Sequence, residues 1–553
     1  MLRSAFAIPL VFLASLALSL VLRGPLLDAD IVGTHNWRQS QTMWNVRNFV
    51  RYDNNILNTR VSNYYPETGN LLRYEFPVMQ WGIAQLQSVL GEEIWVARLS
   101  VFAISAVGLL GFFLLLRVMT FPPWVALLGT IALQFSPLLY FYSINILPDL
   151  LALSAVIWYL YFVFSFLRGR RMGTALAAGA CLGLATLAKL PYAMYGIVGL
   201  VLVLRQLFAR RLTLPLVVFA LGHLLFLLPS YLWYSWVMPG WAGNPILTGI
   251  FGYDQDWDHN LAILRHHLRK SFPKQLLSPA VWLFAAVGVV WPLRLPVGRL
   301  KPSSGHPRDS QPPSQRTRTL RKAGGYGPYF LALAFVTTLY LVLQWDAIGV
   351  VHDYYLLPFL PWMYVVVTAG MGRLWLLAGD RPWRWVPRAL VVLGVCVTPY
   401  AAYALYQGEW DVSRGYGWAE YGAAFAHRQE LQQLTDDDDL VIVVNDLSLH
   451  IFTWLIRKRG YVYARDHFTA EQLAEHRRQG IRYLYSNSRA VDEQPEIQAQ
   501  LGRLVYGVGN RCGPEYRLGE KSRRGRRRRE WCGRSLWCCA LKRRVAYPEL
   551  AGH

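Results

Sequence analysis

Residues 149–189 read DLLALSAVIWYLYFVFSFLRGRRMGTALAAGACLGLATLAK. Two apolar runs, 149–167 and 172–190, flank the basic knot Arg168-Gly169-Arg170-Arg171. Each run is long enough to cross ~30 Å of hydrocarbon as a helix rising ~1.5 Å per residue. Charge confined to the short turn between two such runs is the mark of a membrane hairpin whose turn faces the cytoplasm. The stretch also begins on a carboxylate, Asp149, and ends on an ammonium, Lys189. Both ends therefore carry a charge on the side away from the arginines.

The pattern recurs along the chain, which has 553 residues, 54% hydrophobic and 16% charged. Eleven spans are expected, at about 5–22, 95–116, 122–142, 149–167, 172–190, 192–208, 212–237, 277–293, 328–345, 355–377 and 388–406. With the N-terminus inside, the basic loops at Arg117, Arg168–Arg171, Arg205–Arg211, Arg294–Lys322 and Arg381–Arg388 all fall on the cytoplasmic side. The net charge of +22 thus concerns topology, together with a basic tail after Cys512, and does not describe a nucleic-acid surface. The first span follows Met-Leu-Arg and lacks a small-x-small cleavage site before Arg23, so it reads as an uncleaved helix.

This orientation sends residues 23–94, the turns at 143–148 and 190–191, segment 238–276, the turn 346–354 and everything after Tyr406 to the extracytoplasmic face. Residues 299–327 are Pro-, Ser- and Arg-rich and read as a disordered cytoplasmic loop. After the last span, the runs LVIVVND (440–446), YVYARD (461–466) and IRYLYSN (481–487) alternate with helical patterns. That order predicts a small extracytoplasmic α/β domain over 407–507 with a parallel sheet. It carries no glycine-rich phosphate loop, so an accessory role is its default reading. From about Val508 the composition turns abruptly basic, as in a disordered tail or a translated frame error, and 508–553 is assigned no function. Cys181 and Cys396 sit in apolar runs and the other four cysteines in the tail, a spacing that supports neither zinc nor a disulfide framework.

The polar residues of the outer segments are patterned. In GTHNWRQSQT (33–42), Thr34 is placed to cap a helix beginning at His35. Helical spacing then gathers His35, Arg38, Gln39 and Thr42 on one face, with Trp37, Trp44, Val46 and Phe49 as interfacial surface along the membrane boundary. Asp28 and Asp30 leave the first span together, and Glu75 precedes Phe76-Pro77. Asp149 opens span four, Lys189 closes span five before Pro191 and Tyr192, and His352-Asp353-Tyr354-Tyr355 opens span ten. Singly these residues read as helix caps, snorkelling cations or loop carboxylates. Together, four separated outer segments offer carboxylates, cations and imidazoles at similar depth. Carboxylates deprotonate an acceptor or hold a metal, Arg and Lys neutralise a phosphate, and a groove between spans takes a hydrocarbon tail.

An ordered series of motifs adds a family. An acidic exit from span one, HNWRQSQTMWNVRNF, Glu75-Phe76-Pro77, Ala97-Arg98-Leu99, Pro148-Asp149, GLATLAKLPYA (183–193) and Tyr355–Pro361 follow in sequence. In this series, over roughly residues 1–400, the chain resembles the GT-C glycosyltransferases, the dolichyl-phosphate-mannose protein mannosyltransferase-like superfamily. That group includes bacterial transferases that place aminoarabinose on lipid A. Many relatives carry an Asp-Glu pair just before the arginine of the juxtamembrane helix, where this chain has His-Asn-Trp before Arg38. The resemblance implies a GT-C domain over 1–406, with its site in outer loop 23–94 and juxtamembrane helices there. It implies inverting transfer of a sugar from a polyprenyl-phosphate carrier to an extracytoplasmic protein, lipid or glycan. Asp30, Glu75, His35 and Asp28 are then candidates for the base or for ligands of a divalent metal, which clustered carboxylates permit without requiring. Arg38, Gln39, Lys189 and Tyr192 become candidate contacts of the donor, and Asp149, His352, Asp353 and Tyr354 position donor or acceptor. A non-catalytic scaffold or lipid transporter of transferase-like fold, and an oligosaccharide ligase or polymerase, are the alternatives.

Overall fold

The computed structural model describes residues 2–65, 68–241, 256–290, 325–349, 352–377, 383, 385–463, 467–488, 494–508 and 536–541. Most of the expected cytoplasmic loop 299–327 lies outside the described residues, as do 242–255 of the outer segment. The chain divides into two compact units, Met1–Ala29 with Tyr74–Gln407, and Asp30–Arg73 with Gly408–His553.

The first unit is helical. Among the described residues six helices are long and apolar enough to cross a membrane, seven if the bent pair Trp257–Leu276 and Pro279–Val290 counts as one span. Four shorter apolar helices, Phe6–Val21, Pro123–Gln134, Met172–Ala188 and Gly327–Leu343, accompany them. The chain is an integral multi-pass membrane protein. The expected continuous span 122–142 is instead broken: Pro123–Gln134 ends, and Pro137–Tyr142 starts a new helix. Pro137 removes a backbone donor and favours an extended residue before it, here Ser136 at ψ 127°. Proline acts similarly in the pair Trp257–Leu276 and Pro279–Val290, which bends by 74° between its halves.

Small residues set the packing of the helix Met172–Ala188. A Cβ at Gly183 would lie 2.2 Å from the Phe226 carbonyl oxygen, so the helix Leu214–Val237 approaches as closely as backbone allows. The Ser230 hydroxyl donates to the Gly183 carbonyl at 3.2 Å across that contact. On its other side the helix Asp149–Gly169 meets Ile94–Val118, where Ser154 Oγ and Trp158 Nε1 donate to the carbonyls of Ile104 and Val107 at 3.0 and 3.1 Å.

The second unit is built on a sheet that joins distant parts of the chain. Its strands are β1 (Arg60–Tyr65), β2 (Gly69–Leu71), β3 (Leu440–Val444), β4 (Arg459–Tyr463), β5 (Tyr483–Ser486), β6 (Leu501–Val508) and β7 (Leu536–Leu541), in the order β2-β1-β4-β3-β5-β7-β6. Strands β4 and β5 run parallel to β3, with Val441 opposite both Gly460 and Tyr483. Strand β1, from the first outer loop, adds parallel to β4 at Asn63↔Gly460. A short apolar run within the basic tail, Leu536–Leu541, pairs antiparallel with β5 and β6. The helix Ala470–Arg478 begins with a capping box in which Thr469 and Gln472 each bond the other's backbone amide.

The helix Asn36–Arg51 packs within this second unit. Thr34 does not cap it, because its hydroxyl donates to the Glu409 carboxylate at 2.5 Å. His35 occupies the N-cap position in the left-handed conformation, φ 62°, without a side-chain cap bond. Of the expected interfacial residues only Trp37 is exposed, whereas Trp44, Val46 and Phe49 are buried. The Trp44 ring meets that of Trp454 edge-on at 6.0 Å, so protein covers this part of the face expected to meet lipid.

Burial pushes the Asp437 carboxyl up, but hydrogen bonds from Arg51 and Lys458 and the charges of Lys458 and Arg47 outweigh this and hold it at about 2. A carboxylate depressed below its ordinary range contributes stability that is present above about pH 4 and lost as pH falls towards 2. Thermal unfolding of the wild type is therefore expected to weaken between pH 5 and pH 3 more than that of Asp437→Asn, as a melting series in ~1-unit steps would show. A second test is steric: a Cβ at Gly460 would lie 1.7 Å from the Val441 carbonyl oxygen. Gly460→Ala should force β3 and β4 apart and cost about 2–3 kcal/mol in chemical unfolding.

Candidate functional site

In the first unit the ends of several helices converge on Lys189. The helix Met172–Ala188 stops there, with Lys189 extended at φ −159°, ψ 108°, and Pro191 in the following 3-10 turn Leu190–Tyr195. The Lys189 ammonium is buried and lies 3.5 Å from Asp149 Oδ2, at the first residue of the helix Asp149–Gly169. It also faces the rings of Tyr354 and Tyr355, at 5.8 and 5.3 Å from their centroids. An ammonium between a carboxylate and two ring faces is neutralised by both kinds of partner.

The turn that carries those tyrosines is itself fixed. One Asp353 oxygen accepts from the Tyr142 hydroxyl and the other from Gln275 Nε2 at 2.7 Å. The Tyr195 hydroxyl donates to the Pro358 carbonyl at 2.7 Å, and its ring stacks on that of Tyr192 at 6.3 Å. His352 packs against Tyr354 with ring centroids 5.6 Å apart.

Glu75 is buried at the other side of the same helix end. The residue before it, Tyr74, accepts from Trp233 Nε1 at 3.0 Å, and the amide after it, Phe76, donates to the Leu187 carbonyl at 3.2 Å. Phe76 meets the Trp233 ring edge-on at 4.9 Å. Glu75 and Asp149 both act electrostatically on the hydroxyl of Tyr234, which donates to the Leu187 carbonyl at 3.2 Å. Beside this end lies a cavity of about 370 Å³, lined by Thr186, Leu190, Leu227, Ser230, Tyr231 and Tyr234 among others.

The structure thus brings together Glu75, Asp149, Lys189, Tyr192, His352, Asp353 and Tyr354. Tyr355, which the sequence motifs include without a site role, joins them, as do Tyr142 and Gln275, which the sequence does not single out. Tyr355 was visible as the neighbour of Tyr354, but nothing in the sequence distinguishes Tyr142 or Gln275 from ordinary span and loop residues.

Asp30, His35, Arg38 and Gln39 belong to the second unit. Asp30 Oδ1 accepts from the Ile31 amide at 2.8 Å and Trp454 Nε1 at 3.1 Å, while Oδ2 lies 3.2 Å from Arg428 Nε. Arg38 donates to the Gln41 side-chain carbonyl, and Gln39 is buried. Burial, reinforced by the Arg38 charge, pushes the His450 imidazole down to about 3, so it stays neutral at physiological pH. Asp28, exposed after the short helix Gly24–Leu27, is in the first unit. Among the described residues no group of three or more His, Cys, Asp and Glu is placed to hold a metal ion.

Comparison with known proteins bears on this geometry. Residues 75–236 match the family model described as dolichyl-phosphate-mannose-protein mannosyltransferase, a stretch that contains Glu75, Asp149, Lys189, Tyr192 and all the residues lining the cavity except Met238. No curated protein matches the chain by sequence. Among solved structures, ArnT from Cupriavidus metallidurans bound to undecaprenyl phosphate is similar over 96% of this chain and 97% of its own, with a TM-score of 0.54 and 16% identity. The archaeal oligosaccharyltransferase AglB from Archaeoglobus fulgidus, in complex with an inhibitory peptide and a dolichol-phosphate, is similar over 87% of this chain and 69% of its own, with a TM-score of 0.50 and 11% identity. The arabinofuranosyltransferase AftD from Mycobacteria is similar over 96% of this chain and 40% of its own, with a TM-score of 0.54 and 15% identity. At such identities the likeness is one of fold.

The Lys189–Asp149 pair can be tested without knowledge of a substrate. Asp149→Asn leaves a buried ammonium with a weaker partner and should destabilise the protein by about 3 kcal/mol. Adding Lys189→Met should recover most of that loss. Unfolding of the two single variants and the double variant in one detergent measures the coupling.

Proposed function

We propose that the chain, with a fold like that of ArnT, is a membrane glycosyltransferase of GT-C type that moves a sugar from a polyprenyl-phosphate carrier to an acceptor on the extracytoplasmic face. The observation that carries this reading is the buried Lys189 ammonium, held by Asp149 and two tyrosine rings close to Glu75 and to a cavity in the helix bundle. A buried cation near a carboxylate suits a reaction that expels a phosphate while a proton is removed from the acceptor. The undecaprenyl phosphate bound to ArnT and the dolichol-phosphate bound to AglB support the same donor class. The placement of basic loops supports eleven spans with the Lys189 end facing outward, where nucleotide sugars are not normally available and a lipid-borne donor is needed.

In this reading the acceptor O–H or N–H attacks the anomeric carbon from the face opposite the phosphate. The C–O bond to phosphate breaks with inversion, and the electron pair leaves on the phosphate oxygen. Glu75 takes the acceptor proton, Lys189 offsets the charge growing on the departing phosphate, and the cavity takes the first part of the hydrocarbon tail. Asp149 keeps Lys189 oriented, while Asp353 and its neighbours position the donor. The roles expected for Asp30, His35, Arg38 and Gln39 rest on the sequence resemblance, with Asp30 as the competing base.

Purified protein supplied with a polyprenyl-phosphate sugar tests the proposal. Glu75→Gln and Lys189→Ala should each lower turnover by about 10²-fold or more, and Asp149→Asn by a similar factor. Wild-type turnover in all of these, and in Asp30→Asn, would remove the site. Mass analysis of the product separates a transferase, which adds one sugar, from a ligase or polymerase, which adds many. Lipid movement without donor consumption would instead favour a transporter.

A further inference from the structure

A second buried cation in the first unit has no carboxylate. Arg23 follows the helix Leu2–Val21 and is fully buried. Its guanidinium lies 3.9 Å from the centre of the Tyr140 ring and 5.9 Å from that of Phe102. None of its three nitrogens makes a geometrically well-formed hydrogen bond, the Tyr140 side chain is its neutral polar neighbour, and among the described residues no carboxylate pairs with it. One turn earlier on the same helix face, the Ser19 hydroxyl is also fully buried and has no partner. A further turn back, the Ser15 hydroxyl donates to the Gln134 side-chain carbonyl at 2.9 Å, and Gln134 Nε2 returns a bond to the Ser15 carbonyl at 2.9 Å. Residues 15, 19 and 23 therefore form a polar ladder facing the bundle, satisfied at one end and open at the other.

The energetics favour an occupant. A guanidinium withdrawn from water without an acceptor carries a desolvation penalty that ring faces alone recover only in part. Arginine in particular presents a planar fork of donors matched to the oxygens of a phosphate. The position is consistent with this, because Arg23 stands where the first span ends and the short helix Gly24–Leu27 begins with exposed Gly24 and Pro25. Tyr140 and Phe102 wall the guanidinium without contributing an anion.

We propose that Arg23, with the Ser19 hydroxyl, is a binding site for a phosphate-bearing anion at the end of the first span. The same chemistry is offered by the headgroup of an anionic phospholipid and by inorganic phosphate. The proposal needs no turnover and is independent of the glycosyl-transfer reading.

The full-length protein in phosphatidylcholine nanodiscs, with and without phosphatidylglycerol, separates the sources when its thermal midpoint is measured alongside an inorganic phosphate titration. A midpoint raised by phosphatidylglycerol and insensitive to inorganic phosphate identifies a lipid headgroup. A midpoint raised by inorganic phosphate itself identifies the free ion. In either case the apparent affinity should fall about tenfold or more in Arg23→Met and be partly retained in Arg23→Lys. Arg23→Met replaces a buried charge by an apolar chain of similar length, and Arg23→Gln provides a second neutral variant should it fail to fold. Native mass spectrometry of the wild type provides a variant-free readout, a retained phospholipid or phosphate adduct. No response to either anion, or equal responses in wild type and Arg23→Met, would overturn the proposal and leave Arg23 as an aromatic packing group.

Discussion

An ammonium inside a bundle of membrane helices has to be neutralised where it stands, and the pairing of Lys189 with Asp149 does this at 3.5 Å. The two residues bracket the hairpin formed by the helices Asp149–Gly169 and Met172–Ala188, so their attraction closes its end opposite the basic turn. Close packing elsewhere supports that closure. Gly183 lets the Leu214–Val237 backbone approach Met172–Ala188, which brings Trp233 and Tyr234 to the helix end where Phe76 bonds Leu187. The charge pair, the glycine contact and the placement of Glu75 are therefore consecutive consequences of one hairpin.

The second unit obeys a different constraint. Strand β1 comes from the first outer loop and pairs with β4, almost 400 residues later in the chain, at Asn63↔Gly460. Asn63 Oδ1 also accepts from the Val462 amide at 3.0 Å, and the Ser62 hydroxyl accepts from Thr453 at 2.9 Å. Asp437 binds Arg47, Arg51 and Lys458, a set that again joins residues 30–73 to the chain after 408. The loop that the sequence places beside the membrane is thus folded as part of a sheet-based unit. The geometry of its helix Asn36–Arg51 depends on residues such as Glu409, Tyr416 and Trp454.

This explains which features were legible in the sequence. Asp149 and Lys189 stood out because a charge at the end of an apolar run is costly, and the structure pairs them. The helix Ala470–Arg478 falls on one of the helical patterns read between the strand-like runs, although its Thr469–Gln472 capping box, local as it is, was not among the expectations. Thr34 had the same local qualifications as a cap, but Glu409 offers its hydroxyl a charged acceptor that only the fold supplies. Likewise Trp44 looked suited to lipid because its contact with Trp454, on the helix Ile451–Ile456, joins residues too far apart in sequence to be read locally. The break at Ser136 was signalled by Pro137, although the apolar composition on both sides masks it. Gln275 gave no signal, since its importance consists only in reaching Asp353 from another element.

The same reasoning bears on the choice between carboxylates. Asp30 already accepts from Ile31 and Trp454 on one oxygen and pairs with Arg428 on the other. Both of its oxygens are therefore engaged within the second unit. Its contacts with Trp454 and Arg428 anchor the beginning of residues 30–73 to helix residues after 408, a structural task that a charged side chain performs well. Glu75 sits in a different setting. The backbone on either side of it is held by two hydrogen bonds, one from the Trp233 indole to the Tyr74 carbonyl and one from the Phe76 amide to the Leu187 carbonyl. In the proposed reaction Glu75 has to keep its place with and without the acceptor proton, and the contacts of the backbone on either side of it serve that purpose.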